Sequence, residues 1–301
     1  VPGDEEWPEP VDDLRHCEPV QRRGGLPYGL WVRGPGHLAT ASSRSVAVVG
    51  SRACTAYGGG LAADLAAELA EQGVTVVSGG AYGIDAAAHR GALAAGGQTV
   101  CVLANGLDVA YPRGNSELLE RMGREHLLVS ELPPGATPTR VRFLARNRLI
   151  AALALGTVVV EAAYRSGARN TASWALQCGR QLMAVPGPVH SALSAGPHLM
   201  IRNGQATLVT GGADVLELVS ALGTHTLVNP QGALRFTDHL DPSALAVYEA
   251  VPTRRRASVG EIALAAGVTL PACLAELGAL EADGQIEGDE RGWRLSATHQ
   301  P

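Results

Sequence analysis

Five short segments combine glycine, serine and arginine in ways suited to holding an anion. Gly50-Ser51-Arg52 follows an apolar run and precedes an Ala/Leu-rich stretch, so backbone N–H groups at a helix start would stand beside one guanidinium. Ser78 to Asp85 includes Gly79, Gly80 and Gly83, which let backbone approach a ligand closely, and Asp85 can cap the helix that follows. Arg113 stands just ahead of a further helix. The densest segment is Arg140-Val141-Arg142-Phe143-Leu144-Ala145-Arg146-Asn147-Arg148, a cationic cluster with a ring inside it. Charge for a sugar–phosphate backbone and a flat face for a base are what a single nucleic-acid strand requires. A solvated basic helix end, with Phe143 in the core, accounts for the same residues. A fifth turn, Arg165 to Thr171, carries two more cations around Gly167.

Other chemistries lack their residues. The first turn is not G-x-G-x-x-G, and the second apolar run ends in Ser78 where a nicotinamide domain would place a ribose-gripping acid. All 24 basic side chains are Arg, so a Walker A lysine is excluded, and no G-x-S-x-G elbow occurs. His89 and Asp85 share a helix face at i, i+4, but two ligands do not make a metal site, and His89 reads as structural. Cys17, Cys54, Cys101, Cys178 and Cys273 lie far apart with no C-x-x-C pair, giving neither a disulfide framework nor a zinc site. The expectation is a binding protein with no catalytic residue, cofactor or metal.

The elements that must position these loops are legible as a series. Val46–Val49, Val74–Ser78, Thr99–Leu103, Leu127–Glu131, Thr157–Glu161 and Gln181–Val185 are short apolar runs alternating with amphipathic helical patterns. That alternation predicts an α/β fold, a Rossmann-like doubly wound parallel sheet whose ligand lies beyond the strands' C-terminal ends. The expected organisation is an N-terminal extension with a short strand (1–43), the sheet domain (44–222), a linker (223–241) and a small C-terminal domain (242–301). Three helical patterns and a hairpin-like stretch in that last segment predict a winged helix. Charge follows the same division: residues 44–212 hold 14 Arg against 10 acids, whereas residues 241–301 hold 5 against 9. The third tail helix carries Glu276, Glu281 and Asp283 and no cation, which argues against a DNA-reading role. The acidic opening lacks the basic start of a signal peptide, and the longest apolar stretch is broken at Gly156 and Thr157. A cytoplasmic protein with no membrane contact is expected.

Taken in order, V-A-V-V-G-S-R (46–52), S-G-G-A-Y-G-I-D-A-A-A-H (78–89), L-D-V-A-Y-P-R-G-N (107–115), R-F-L-A-R-N-R-L-I-A (142–151), E-A-A-Y-R-S-G-A-R-N-T-A (161–172) and A-V-P-G (184–187) resemble the DprA/Smf family over about residues 26–218. The resemblance implies an extended Rossmann domain that binds and protects single-stranded DNA in natural transformation and recombination and helps load RecA, without a nucleotide cofactor. It implies DNA contacts at Arg52, Gly79, Gly80, Arg113, Arg140, Phe143, Arg146, Asn147 and Arg148, beside Gly50, Ser51 and Gly167 from the loops. It implies a homodimer through His198, Ile201 and Leu208, with RecA and single-strand-binding protein as partners. Tyr82 stands where relatives often have Arg, and His198 where they often have Asn. Residues 1–43 are too short for the N-terminal helical domain of several relatives. Arg52→Glu or Arg146→Glu is expected to weaken binding with the fold intact. The competing reading is a nucleotide phosphoribohydrolase using Glu161 as general acid or base, but the P-G-G-x-G-T of such enzymes is absent.

Overall fold

Valine-rich runs bounded by glycine form the strands, and their position inside two helical layers explains why they do not alternate with polar residues. The computed structural model describes residues 1–19, 24–220 and 236–296. It divides into two units, Val1–Leu227 and Val228–Pro301. In the first, the strands are β1 (Trp31–Arg33), β2 (Ser45–Val49), β3 (Thr75–Ser78), β4 (Thr99–Val102), β5 (Leu127–Ser130), β6 (Gly156–Val159), β7 (Gln181–Ala184) and β8 (Thr207–Leu208). The helices are α1 (Leu38–Ser43), α2 (Ala56–Glu71), α3 (Ile84–Ala94), α4 (Ser116–Glu125), α5 (Arg140–Leu153), α6 (Gly167–Gln177), α7 (Ala195–Arg202) and α8 (Gly212–Val219).

The sheet runs β1-β5-β4-β3-β2-β6-β7-β8. Only β1 is antiparallel, pairing Val32 with Val129 of β5. Strand order reverses between β2 and β6, which pair in register from Val46–Gly156 to Val49–Val159. A crevice must open there, because the crossovers on either side lead away from it. The pleat sorts side chains between two cores: Val46 and Val48 meet Leu65 and Ile84 of α2 and α3, while Ala47 and Val49 lie in the other core with Leu149 of α5 and Trp174 of α6. Residues 1–43, set apart in the sequence reading, belong to this unit. Trp7, Val11 and Leu14 are buried in the same core as α5 and α6, and β1 extends the sheet.

The second unit holds α9 (Pro242–Ala250), α10 (Val259–Ala266), α11 (Leu270–Ala282) and an antiparallel hairpin of β9 (Ile286–Asp289) and β10 (Gly292–Leu295). Its helix ends follow local chemistry. Asp241 accepts from Ser243 N (2.8 Å) and Ala244 N (3.0 Å), Ser258 and Glu261 form a reciprocal capping box, and Gly267 closes α10 at φ 68°. Val247, Ile262, Leu277 and Leu280 form its core. Of the expected linker, residues 223–235 lie outside the described residues, while Phe236–His239 forms a 3-10 turn whose Phe236 ring lies 6.0 Å from that of Tyr248. Among the described residues no single helix is long and apolar enough to cross a membrane.

Candidate nucleic-acid interface

At the β2/β6 reversal the structure has a cleft of about 900 Å³. Its walls are the loop after β2, Ala81 and Asp85 after β3, and the N-terminal turns of α5 and α6, so the topology brings four of the five anion-suited segments to one place. Arg52, Arg140, Arg146, Arg165 and Arg169 line it, with Asp85 the one acid among the lining residues. Arg52 is exposed and its guanidinium carbon lies 4.6 Å from the centre of the Phe143 ring. Phe143 is half-buried and packs at a tilt 6.0 Å from Tyr111, so it is neither core nor bare surface. Among the described residues Arg52, Arg140 and Arg165 have no ion pair with an acid.

The glycine turn after β3 serves a different end from the one its composition suggests. Gly79 N and Ala81 N both donate to Asp85 Oδ2, at 3.2 and 3.4 Å, so the amides suited to a phosphate are engaged by the chain's own carboxylate. Burial pushes the Asp85 carboxyl up, opposed by Arg146, by the Ala81 and Gly79 amides and by Arg52. Arg146 Nη1 donates to Gly79 O (2.7 Å) and to Val102 O, bracing the C-terminal ends of β3 and β4. A methyl group on Gly79 would stand 2.1 Å from that nitrogen, which is why the position needs glycine. Arg146 is only 6% exposed, so it forms the wall of the cleft more than its charged rim.

The other expected contacts divide similarly. Ser51 N donates to Glu161 O (2.7 Å) and Ile84 N to Ser51 O (3.1 Å), while a Cβ on Gly50 would lie 2.5 Å from Ile84 Cγ1. These two residues fix the loop from which Arg52 projects. Asn147, on the cleft wall, donates to Asn170 Oδ1 (3.2 Å), and Gly167 opens α6 on the same side. Arg148 is 5% exposed and makes a two-pronged ion pair with Glu131 at 2.5 and 2.9 Å, away from the lining residues. It is a structural cation. Arg113 is exposed on the 3-10 turn Arg113–Asn115 and also lies outside the lining. Tyr82 holds that turn, its hydroxyl accepting from Gly114 N at 3.1 Å. Arg165 and Arg169, the two cations of the fifth segment, line the cleft beside Gly167, although the family resemblance implies a contact at neither. Of the three expected dimer residues, Leu208 is exposed on the terminal strand β8, Ile201 packs on the core, and His198 Nε2 lies 3.0 Å from Gly187 O.

Glu161 is 2% exposed, and its carboxylate accepts from Thr55 N (2.9 Å) and Thr55 Oγ1 (2.6 Å) at the start of α2. It does not line the cleft.

His89 is fully buried, with Nδ1 2.7 Å from Thr99 Oγ1. The Thr99 hydroxyl donates to Val76 O, so Nδ1 carries the imidazole proton and Nε2 is left without a partner. Burial first, then Arg146, His126 and Arg90, push His89 down from 6.5 to about 3. The unfolded chain therefore binds this proton at a pH where the folded chain refuses it. The stability held by the neutral ring is complete above pH 6.5 and is lost as pH falls toward 3, at about 1.4 kcal/mol per pH unit. Urea melts of His89→Gln are expected to show a flatter pH dependence than the parent between pH 6 and pH 4. Parallel curves would show that another group carries the acid sensitivity.

Comparison with known proteins follows the same residues. The sequence profile of the DNA recombination-mediator protein A family matches residues 1–220. A putative DNA processing protein DprA from Mycobacterium tuberculosis is 48% identical over 297 residues, covering 98% of this chain and 76% of that protein. Among solved structures, DprA from Streptococcus pneumoniae matches with TM-score 0.65 and 39% identity, covering 72% of each chain. DprA from Helicobacter pylori, described for its single-stranded DNA binding mode, matches with TM-score 0.62 and 28% identity over 71% of this chain and 93% of that one. The mostly parallel sheet, the ordered motifs and these matches agree, and the chain belongs to the DNA recombination-mediator protein A family, the DprA/Smf family.

Proposed function

We propose that this chain binds single-stranded DNA in the β2/β6 cleft and presents it to RecA, making and breaking no covalent bond itself. The observation that carries this reading is the set of exposed guanidiniums around the half-buried Phe143 ring. Arg52, Arg140 and Arg165 meet the phosphates, and Phe143 offers a face to one base. The single-stranded DNA binding described for the H. pylori relative supports it. The capping role of Glu161 argues against the hydrolase reading, because its buried carboxylate is held by Thr55 N and Oγ1 and lies outside the cleft lining. A homodimer through the β8 side would join two clefts into a longer track, and Leu208 is the residue available for it. The C-terminal unit, read as a winged helix, serves protein contact: α11 carries Glu276 and Glu281, is followed at once by Asp283, and would repel phosphate.

The test is titration of fluorescent single- and double-stranded oligonucleotides across salt, with mass from light scattering and RecA filament formation as a second readout. Three phosphate contacts predict single-strand affinity falling about 20-fold between 50 and 200 mM salt. Preference for duplex, or affinity indifferent to salt, would sink the reading.

A further inference from the structure

Two of the five cysteines are brought together by the fold although 161 positions separate them. Cys17 Sγ and Cys178 Sγ lie 3.4 Å apart. Cys17 follows the 3-10 turn Glu9–Arg15, is half-buried, and touches Asp13 O at 3.3 Å. Cys178 is the residue that ends α6 and is buried in the core shared by Trp7, Val11 and Leu14. The two thiols thus differ: one is open to small molecules, the other is held directly behind it.

We propose that Cys17 and Cys178 form an oxidative modification site, at which a peroxide converts the pair to a disulfide that staples the N-terminal segment to the end of α6. In the first step the Cys17 sulfur attacks one peroxide oxygen, the O–O bond breaks, and Cys17 becomes a sulfenic acid with release of water. In the second, Cys178 attacks that sulfur, an S–S bond forms, the S–O bond breaks and a second water leaves. Two thiols lose two electrons and two protons, and one hydrogen peroxide becomes two waters.

The order of steps follows from the surroundings. Burial, with Cys17 beside it, pushes the Cys178 thiol up to about 12, so the outer thiol takes the oxidant and the inner one resolves it. Arg180 opposes that rise, and its guanidinium also holds the N-terminal segment through Pro10 O (2.9 Å) and Asp13 Oδ2 (2.7 Å). The sulfurs need to close from 3.4 Å to about 2.0 Å. Side-chain rotation at the half-buried Cys17 supplies that motion more readily than movement of α6. Cys101 and Cys273 are buried and Cys54 is half-buried, and among the described residues none of the three makes a sulfur–sulfur contact. The DNA cleft touches the opposite end of α6, so the site stands independently of the proposed strand binding.

The experiment treats the reduced full chain with hydrogen peroxide, blocks remaining thiols, and maps non-reduced peptides by mass spectrometry beside thermal melts. A Cys17–Cys178 linked peptide is expected, with loss of two thiols and a rise in Tm on the order of 5 °C that dithiothreitol reverses. Cys17→Ser, at the half-buried position, should abolish both the link and the rise without unfolding the chain. Cys178→Ser should leave Cys17 to overoxidise to sulfinic acid. Recovery of Cys17 as sulfinic acid in the parent chain, or a disulfide between any other pair, would overturn the proposal.

Discussion

Charge reversal at Arg52 and Arg140 together is expected to weaken single-strand binding about 100-fold or more, with Tm within about 2 °C of the parent. Both side chains are exposed, line the cleft and have no acid partner among the described residues, so their removal costs the fold little. Each charge-assisted hydrogen bond to a phosphate is worth about 1.5–3 kcal/mol, and two make about 3 kcal/mol or more. Phe143→Ala separates charge from stacking. It should cost about 1–3 kcal/mol of binding while the slope of affinity against salt is unchanged, whereas the double reversal should flatten that slope. Fluorescence anisotropy at several salt concentrations reads all three numbers. Parent-like affinity in the double variant would place the strand elsewhere.

Substituting Arg146 is expected to act first on stability, by about 3–5 kcal/mol for Arg146→Met in urea unfolding. Its removal leaves Gly79 O and Val102 O without their donor and deprives the buried Asp85 carboxylate of its facing cation. Arg146→Glu would put a second carboxylate beside Asp85, so a folded variant with lost DNA binding, expected from sequence, is not the expected outcome here. Any gel shift lost in an Arg146 variant must therefore be read beside its melting curve. A stability change below about 1 kcal/mol in Arg146→Met would show the bracket across β3 and β4 to be dispensable. The contrast with Arg52 is physical. One guanidinium is exposed beside a ring, and the other is buried against two strand-end carbonyls.

Much of the fold was legible in the chain because its signals are local. Five residues in β2 and four in each of β3 to β6 make continuous buried runs built around valine and leucine, and each strand begins or ends within about two residues of its expected place. The cationic loops were legible for the same reason: residue type and spacing are written in the sequence. The role of residues 1–43 was not, since Trp7, Val11 and Leu14 are scattered among proline and acid and gain a hydrophobic partner only when α5 and α6 are folded beside them.

Amino-acid order by itself determined the doubly wound sheet, the gathering of its anion-suited loops beyond the strands' C-terminal ends, the absence of lysine and the family. Tertiary structure alone decided which arginines line the cleft. Arg146 and Arg148 stand two positions apart on α5, yet one is claimed by the carbonyl of Gly79, 67 positions back, and the other by Glu131 across a loop. A guanidinium pairs with whichever oxygen reaches it in three dimensions, and those oxygens come from segments too far along the chain for any local pattern to announce them.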